Sequence, residues 1–122
     1  MEAVAYRLAD VYGALQPLAS PDHEIVVSGG AILGMPSWLE ITADALGHTL
    51  TALTPGDETT ARGAALMAAV EAGILSTLES ASDVGFNAAE YAPDMANHER
   101  YRAGRDRQAR LENTLVQSGE FV

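Results

Sequence analysis

The sequence predicts an α/β fold of few parallel strands flanked by helices. Three observations carry this expectation. A short β-branched run, Ile25-Val26-Val27, ends in the glycine pair Gly29-Gly30. The segments on either side of it space their apolar residues by three and four, as helices do. The order over residues 1–75 is helix, strand, helix, strand, helix, and consecutive parallel strands joined by a helix imply a right-handed crossover.

From Ala3 to Leu15, the residues Val4, Leu8, Val11 and Leu15 share one helical face. Pro17 discourages continuation of that helix, and the polar turn Ser20–Glu24 leads into Ile25–Ser28. Unbroken β-branched runs of this kind suit a strand covered on both faces, so the run reads as a central parallel strand. Pro36 fits the first turn of the next helix and Gly47 fits just past its end, which bounds that helix at Pro36–Leu46. Leu50 and Leu53 alternate with threonines as a second strand, and the Pro55–Glu58 turn introduces an alanine-rich helix that ends near Gly73. Two parallel strands leave open edges, so the segment reads as one side of a larger sheet. Residues 76–97 have poor periodicity and read as an irregular surface excursion, and a charged helix spans 98–118.

The chain is 122 residues long, one domain by size, with 48% hydrophobic and 20% charged residues. This composition suits a globular protein with a packed core and not a disordered chain. Seven basic residues, all arginine, stand against 17 acids, a formal charge of −10. Nucleic acid is excluded as a partner on this ground. The one basic cluster, Arg100, Arg102, Arg105, Arg107 and Arg110, is interleaved with Glu99, Asp106 and Glu112. The absence of cysteine excludes disulfides, thiolate nucleophiles and zinc-thiolate sites. No apolar run approaches the roughly 18 residues of a membrane span, and the N-terminus lacks the basic start of a signal peptide, so the expected location is cytoplasmic and away from membranes.

Gly29-Gly30 stands between a strand and a helix, where backbone N–H groups and the helix dipole can hold part of a nucleotide. The alternative is a glycine that permits positive φ in a tight connection. Residues 29–34, Gly-Gly-Ala-Ile-Leu-Gly, fit neither G-x-G-x-x-G nor the P-loop, so spacing leaves both readings open. Glu40 and Asp44 face one side of a helix and read as a solvated pair of acids. His23, His48 and His98 show no metal-ligand spacing, and Ser28 lacks a nucleophile context. Gly63 interrupts a strong helix, which suggests close packing on the sheet or a backbone lining a pocket.

In order along the chain, YRLADVYGAL, VVSGGAILGMPSWLEITADALGHTL and ARGAALMAAVEAGIL resemble the C-terminal end of the FGGY family of carbohydrate kinases, most densely over Ile25–Leu75. The resemblance implies part of a ribonuclease-H-like, actin-like ATPase domain of an enzyme that phosphorylates sugars or polyols of the xylulose and gluconate type with ATP and Mg²⁺. It implies that Ser28, Gly29, Gly30 and Ala31 form the adenosine-binding turn, with Gly34 offering backbone contacts where some members have asparagine. Asp44 matches a family position without a catalytic role. The family's catalytic aspartate and both phosphate loops match nothing in this chain, and no Mg²⁺ ligand is implied within it.

The expected function is therefore the nucleotide-binding portion of a sugar kinase, inactive by itself. Its expected partners are the nucleotide and the missing N-terminal kinase domain, which a separately encoded half could supply. The alternative is a non-catalytic module that keeps the fold and forms a homodimer through an open sheet edge or apolar surface.

Overall fold

Turn and cap residues set most element boundaries locally, and the computed structural model describes residues 1–54, 59–81 and 88–119. In chain order these form α1 (Glu2–Leu15), β1 (Ile25–Val27), α2 (Gly30–Leu33), α3 (Pro36–Leu46), β2 (Leu50–Leu53), α4 (Thr59–Glu71), β3 (Ala88–Tyr91) and α5 (Met95–Ser118). The turn expected at residues 55–58 and the stretch around Gly85 lie outside the described residues. Pro17 falls in a 3-10 turn, Gln16–Leu18, that closes α1. Pro36 opens α3, and Gly47 closes it in the left-handed conformation with φ 66° and its N–H on the Ala43 carbonyl. No described helix is long and apolar enough to cross a membrane.

The sheet is mixed, in the order β1-β2-β3. β1 runs parallel to β2 with Ile25 opposite Leu50 and Val27 opposite Ala52. β2 pairs antiparallel with β3, Leu50 opposite Tyr91. Two sequence expectations change here. Ile25–Ser28, read as a central strand covered on both faces, is the edge strand, and Val26 is 54% exposed. β-Branched residues report a pleated, half-buried surface and not a place in the sheet. The stretch read as an irregular excursion contributes β3, in whose Ala-Ala-Glu-Tyr sequence Tyr91 alone favours a strand. Pairing with β2 holds it in place.

Ile25, Val27, Leu50 and Ala52 point to one face and pack with Leu39, Ala43 and Leu33 of the helices. Leu50 and Leu39 are the largest fully buried side chains among the described residues. At about 25 cal/mol per Å² of apolar area, burying each contributes roughly 2 kcal/mol. Val26 and Thr51 alternate to the other face, where the Thr51 hydroxyl donates to Glu24 Oε1 at 2.6 Å.

α1 lies against α3 and α5. The face it buries is that of Ala5 and Ala9, one turn apart, and the stripe of Val4, Leu8, Val11 and Leu15 stays largely exposed. Methyl side chains allow the helix axes to approach closely, which a leucine stripe would prevent. Where α1 meets α5, a Cβ on buried Gly104 would overlap the Tyr6 hydroxyl and lie 2.8 Å from Tyr6 Cζ. A mid-helix glycine costs about 1 kcal/mol relative to alanine, and this approach gives Gly104 its physical reason. Tyr6 and Tyr101 pack with ring centroids 6.1 Å apart. Burial, with the Glu2 carboxylate second, raises both phenols above their ordinary pKa.

α5 begins three residues before the expected start. The Asp94 side chain caps it by accepting from the N–H groups of Ala96 at 2.8 Å and Asn97 at 3.4 Å. α4 has no buried residue. The close packing expected at Gly63 is not found among the described residues, where nothing lies within 4 Å of the position of its Cβ.

Candidate nucleotide site

The Gly-Gly turn sits at the carboxyl end of β1, the end of a parallel strand at which α/β folds bind ligands. The chain leaves Val27 through exposed Ser28 and reverses at Gly29, with φ 105° and ψ 134°. An L side chain is strained at that φ, so glycine is required there by the backbone alone. Gly30 then opens α2, a single helical turn in which Leu33 N–H reaches Gly29 O at 3.1 Å and Gly34 N–H reaches Gly30 O at 3.0 Å. The first N–H groups of a helical turn have no intrahelical acceptor, and Gly30 and Ala31, which open this one, are exposed.

The glycines of this turn differ in why they are glycine. Among the described residues, and leaving aside the chain neighbours and the backbone of α2 itself, no heavy atom lies within 4 Å of a Cβ built on Gly29 or Gly30, so their surroundings are open. A Cβ on Gly34 would lie 2.9 Å from the Gly30 carbonyl oxygen. The packing of α2 on itself thus accounts for Gly34. Ser28, Gly29, Gly30, Ala31 and Gly34 are all exposed. Beyond α2, Leu33 and Pro36 border a shallow pocket of about 330 Å³ whose other wall is Leu53, Thr54 and Ala88 at the adjoining strand ends.

Asp44 departs from its expected place on a solvated face. It is 7% exposed, whereas Glu40 points to solvent. Its Oδ1 accepts from Asp94 N–H at 2.7 Å and its Oδ2 from Asn97 Nδ2 at 3.1 Å. His98 Nδ1 donates to the Asp44 carbonyl oxygen at 2.8 Å. Both carboxylate oxygens are therefore engaged in fastening α3 to the start of α5, which leaves Asp44 no part in the turn. Proline followed by aspartate at residues 93 and 94 is a readable helix start; what it caps against lies 50 residues earlier and leaves no sequence signal.

The histidines are also rearranged relative to expectation. His98 lies against Gly47, while His23 and His48 stack with ring centroids 5.1 Å apart. Among the described residues no group of three or more His, Asp or Glu could hold a metal ion.

No curated protein sequence matches the chain. Among solved structures, the xylulose kinase from Rhodospirillum rubrum is similar over 95% of this chain and 23% of its own, with a TM-score of 0.74 and 24% identity. The chain thus spans about a quarter of that enzyme's length, and the likeness shows a shared fold of the actin-like ATPase class. In sequence, the C-terminal domain of the FGGY family of carbohydrate kinases matches residues 1–72. That match takes in α1, β1, the Gly-Gly turn, α3, β2 and all of α4, more than half of the chain, and on it the chain belongs to the FGGY family of carbohydrate kinases through that family's C-terminal domain.

Proposed function

We propose that this chain is the nucleotide-binding portion of an ATP-dependent sugar or polyol kinase, with adenosine held along Ser28, Gly29, Gly30, Ala31 and Gly34. The observation that carries the reading is the open Gly29-Gly30 turn at the carboxyl end of β1, whose surroundings leave room for a ligand to approach the backbone. Backbone N–H groups at the start of α2 would orient the nucleoside, and the pocket bordered by Leu33 and Pro36 offers an apolar wall beside it. When bound, ATP supplies the transferable phosphoryl group. In this reading no residue of the chain is assigned as a Mg²⁺ ligand, and both oxygens of Asp44 accept hydrogen bonds from the start of α5.

A general base and phosphate loops belong to the larger remainder of the kinase fold, so the chain alone is inactive and serves as half of a site. Transfer of a phosphoryl group depends on positioning and charge stabilisation from both sides of the cleft. The discriminating test is Gly30→Leu. Among the described residues none opposes a Cβ at Gly30, so folding stability should stay within about 0.5 kcal/mol of the parent. ADP binding followed by NMR shifts of Ser28–Gly34 should weaken at least tenfold, by about 1.4 kcal/mol. Unchanged shifts in the variant, or none in the parent at millimolar ADP, would overturn the nucleotide assignment.

A second reading, a self-associating module, is supported by the edge of β1, which no described strand pairs, lying beside the exposed Leu8, Val11 and Leu15 of α1, which share one groove with it. An open edge with apolar neighbours is a pairing surface for a second copy or for the remainder of the kinase. Sedimentation at rising concentration should show a dimer that Val26→Lys disperses; a monomer throughout counts against this reading.

A further inference from the structure

The arginines of α5 are sorted by the fold. Arg102 pairs with Glu99 at 3.3 Å, and Arg105 reaches Asp10 of α1 at 3.5 Å. Arg100 and Arg107 have no ion pair among the described residues. Both border one polar cavity of about 290 Å³ between α1 and α5, whose other walls are Glu2, Tyr6, Asn97 and Tyr101. Asn97, Arg100, Tyr101, Gly104 and Arg107 recur at helical spacing and so share one face of α5. The two arginines stand two helical turns apart, about 10.5 Å along the axis. Between them, Gly104 leaves the space in which the Tyr6 hydroxyl lies against the helix.

Hydrogen-bond donors dominate this lining. Burial, with the Glu2 carboxylate second, raises both phenols above their ordinary pKa, so both hydroxyls stay protonated and can donate. Asn97 Nδ2 spends one N–H on Asp44 Oδ2 at 3.1 Å and keeps its other N–H. Glu2 is the one acid among the lining residues.

We propose that Arg100, Arg107 and the hydroxyls of Tyr6 and Tyr101 bind the phosphate of a small, hydroxylated phosphate monoester. Such a group carries about −1.5 to −2 charges at pH 7 with three acceptor oxygens, which matches two guanidinium ions. A single carboxylate would leave one of them uncompensated. The planar fork of each arginine also fits phosphate oxygens in pairs. Glu2 repels the phosphate and therefore faces the rest of the ligand, where its carboxylate accepts from a hydroxyl. It thereby favours the ester over inorganic phosphate, and it disfavours polyphosphates. The cavity shares no lining residue with the Gly-Gly turn, and a ligand in it would bridge α1 and α5.

The test is titration of the full chain with sn-glycerol 3-phosphate, followed by ¹⁵N NMR. One molecule per chain is expected, shifting the Asn97 side-chain amide and the amides of Tyr6, Arg100 and Tyr101 while Ser28–Gly34 stay unmoved. Arg100→Gln and Arg107→Gln should each weaken binding at least about tenfold, whereas Arg102→Gln, whose partner Glu99 is outside the lining, should bind as the parent does. Inorganic phosphate should bind more weakly than the ester, glycerol should not bind, and Glu2→Gln should erase the difference between ester and phosphate. The proposal fails if millimolar ester moves none of these signals, if all three arginine variants weaken binding alike, or if the shifts fall at Ser28–Gly34. Should one variant not fold by circular dichroism, the other carries the same comparison and the parent's spectra decide independently.

Discussion

Replacing Asp44 with alanine is expected to destabilise the fold by about 3 kcal/mol, because hydrogen bonds to a charged group are each worth roughly 1.5–3 kcal/mol and two are lost at once. The Asp94 N–H and the Asn97 side chain would lose their acceptor at the start of α5. Asp44→Asn should cost less. One amide oxygen can still receive the Asp94 N–H, but its NH₂ group then faces the NH₂ group of Asn97. Urea unfolding should show a lower midpoint at unchanged slope for both variants, in that order. An alanine variant as stable as the parent would show that the carboxylate does not hold the two helices together.

Gly47→Val is expected to cost about 2–4 kcal/mol by a different route. At φ 66° a β-branched residue is in the left-handed region, which costs roughly 1–2 kcal/mol. Its Cβ would also lie 2.7 Å from His98 Cε1 and 2.8 Å from Nδ1. The imidazole would have to leave the Asp44 carbonyl, which it reaches at 2.8 Å. The two causes separate in a double-mutant cycle. His98→Ala should remove the clash and leave the backbone strain, so that Gly47→Val costs less in the His98→Ala background than in the parent. Thermal unfolding of the four proteins measures the coupling, and simple additivity would rule out the contact with His98.

What the sequence made legible was local chemistry. Pro36 and Gly47 bound α3 because proline and left-handed glycine act within one turn of chain. The Gly-Gly turn was visible for the same reason, as a strand end followed by a helix start. Features that depend on a distant partner were not legible. Of the residues of β3 only Tyr91 favours a strand, and β3 is held by its pairing with β2. The apolar stripe of α1 was visible as a shared face, but that Ala5 and Ala9 form the buried face was not, since they gain their value only from the proximity of α3. Asp44 looked solvated because its partners are at residues 94 and 97. Within the turn, Gly34 looked like a ligand-approach residue, and its steric reason became visible only once the Gly30 carbonyl was placed.

The bond from Asp44 to the start of α5 has a consequence for how this domain can be divided. The stretch that matches the family ends at residue 72, yet a buried carboxylate inside it takes both its hydrogen bonds from residues 94 and 97, and β2 borrows its second neighbour from residues 88–91. Cutting the chain where the family likeness stops would strand a charge in the interior and bare the central strand. The stretch that matches the family in sequence and the folding unit do not coincide: the C-terminal helix, outside residues 1–72, is what allows that stretch to close.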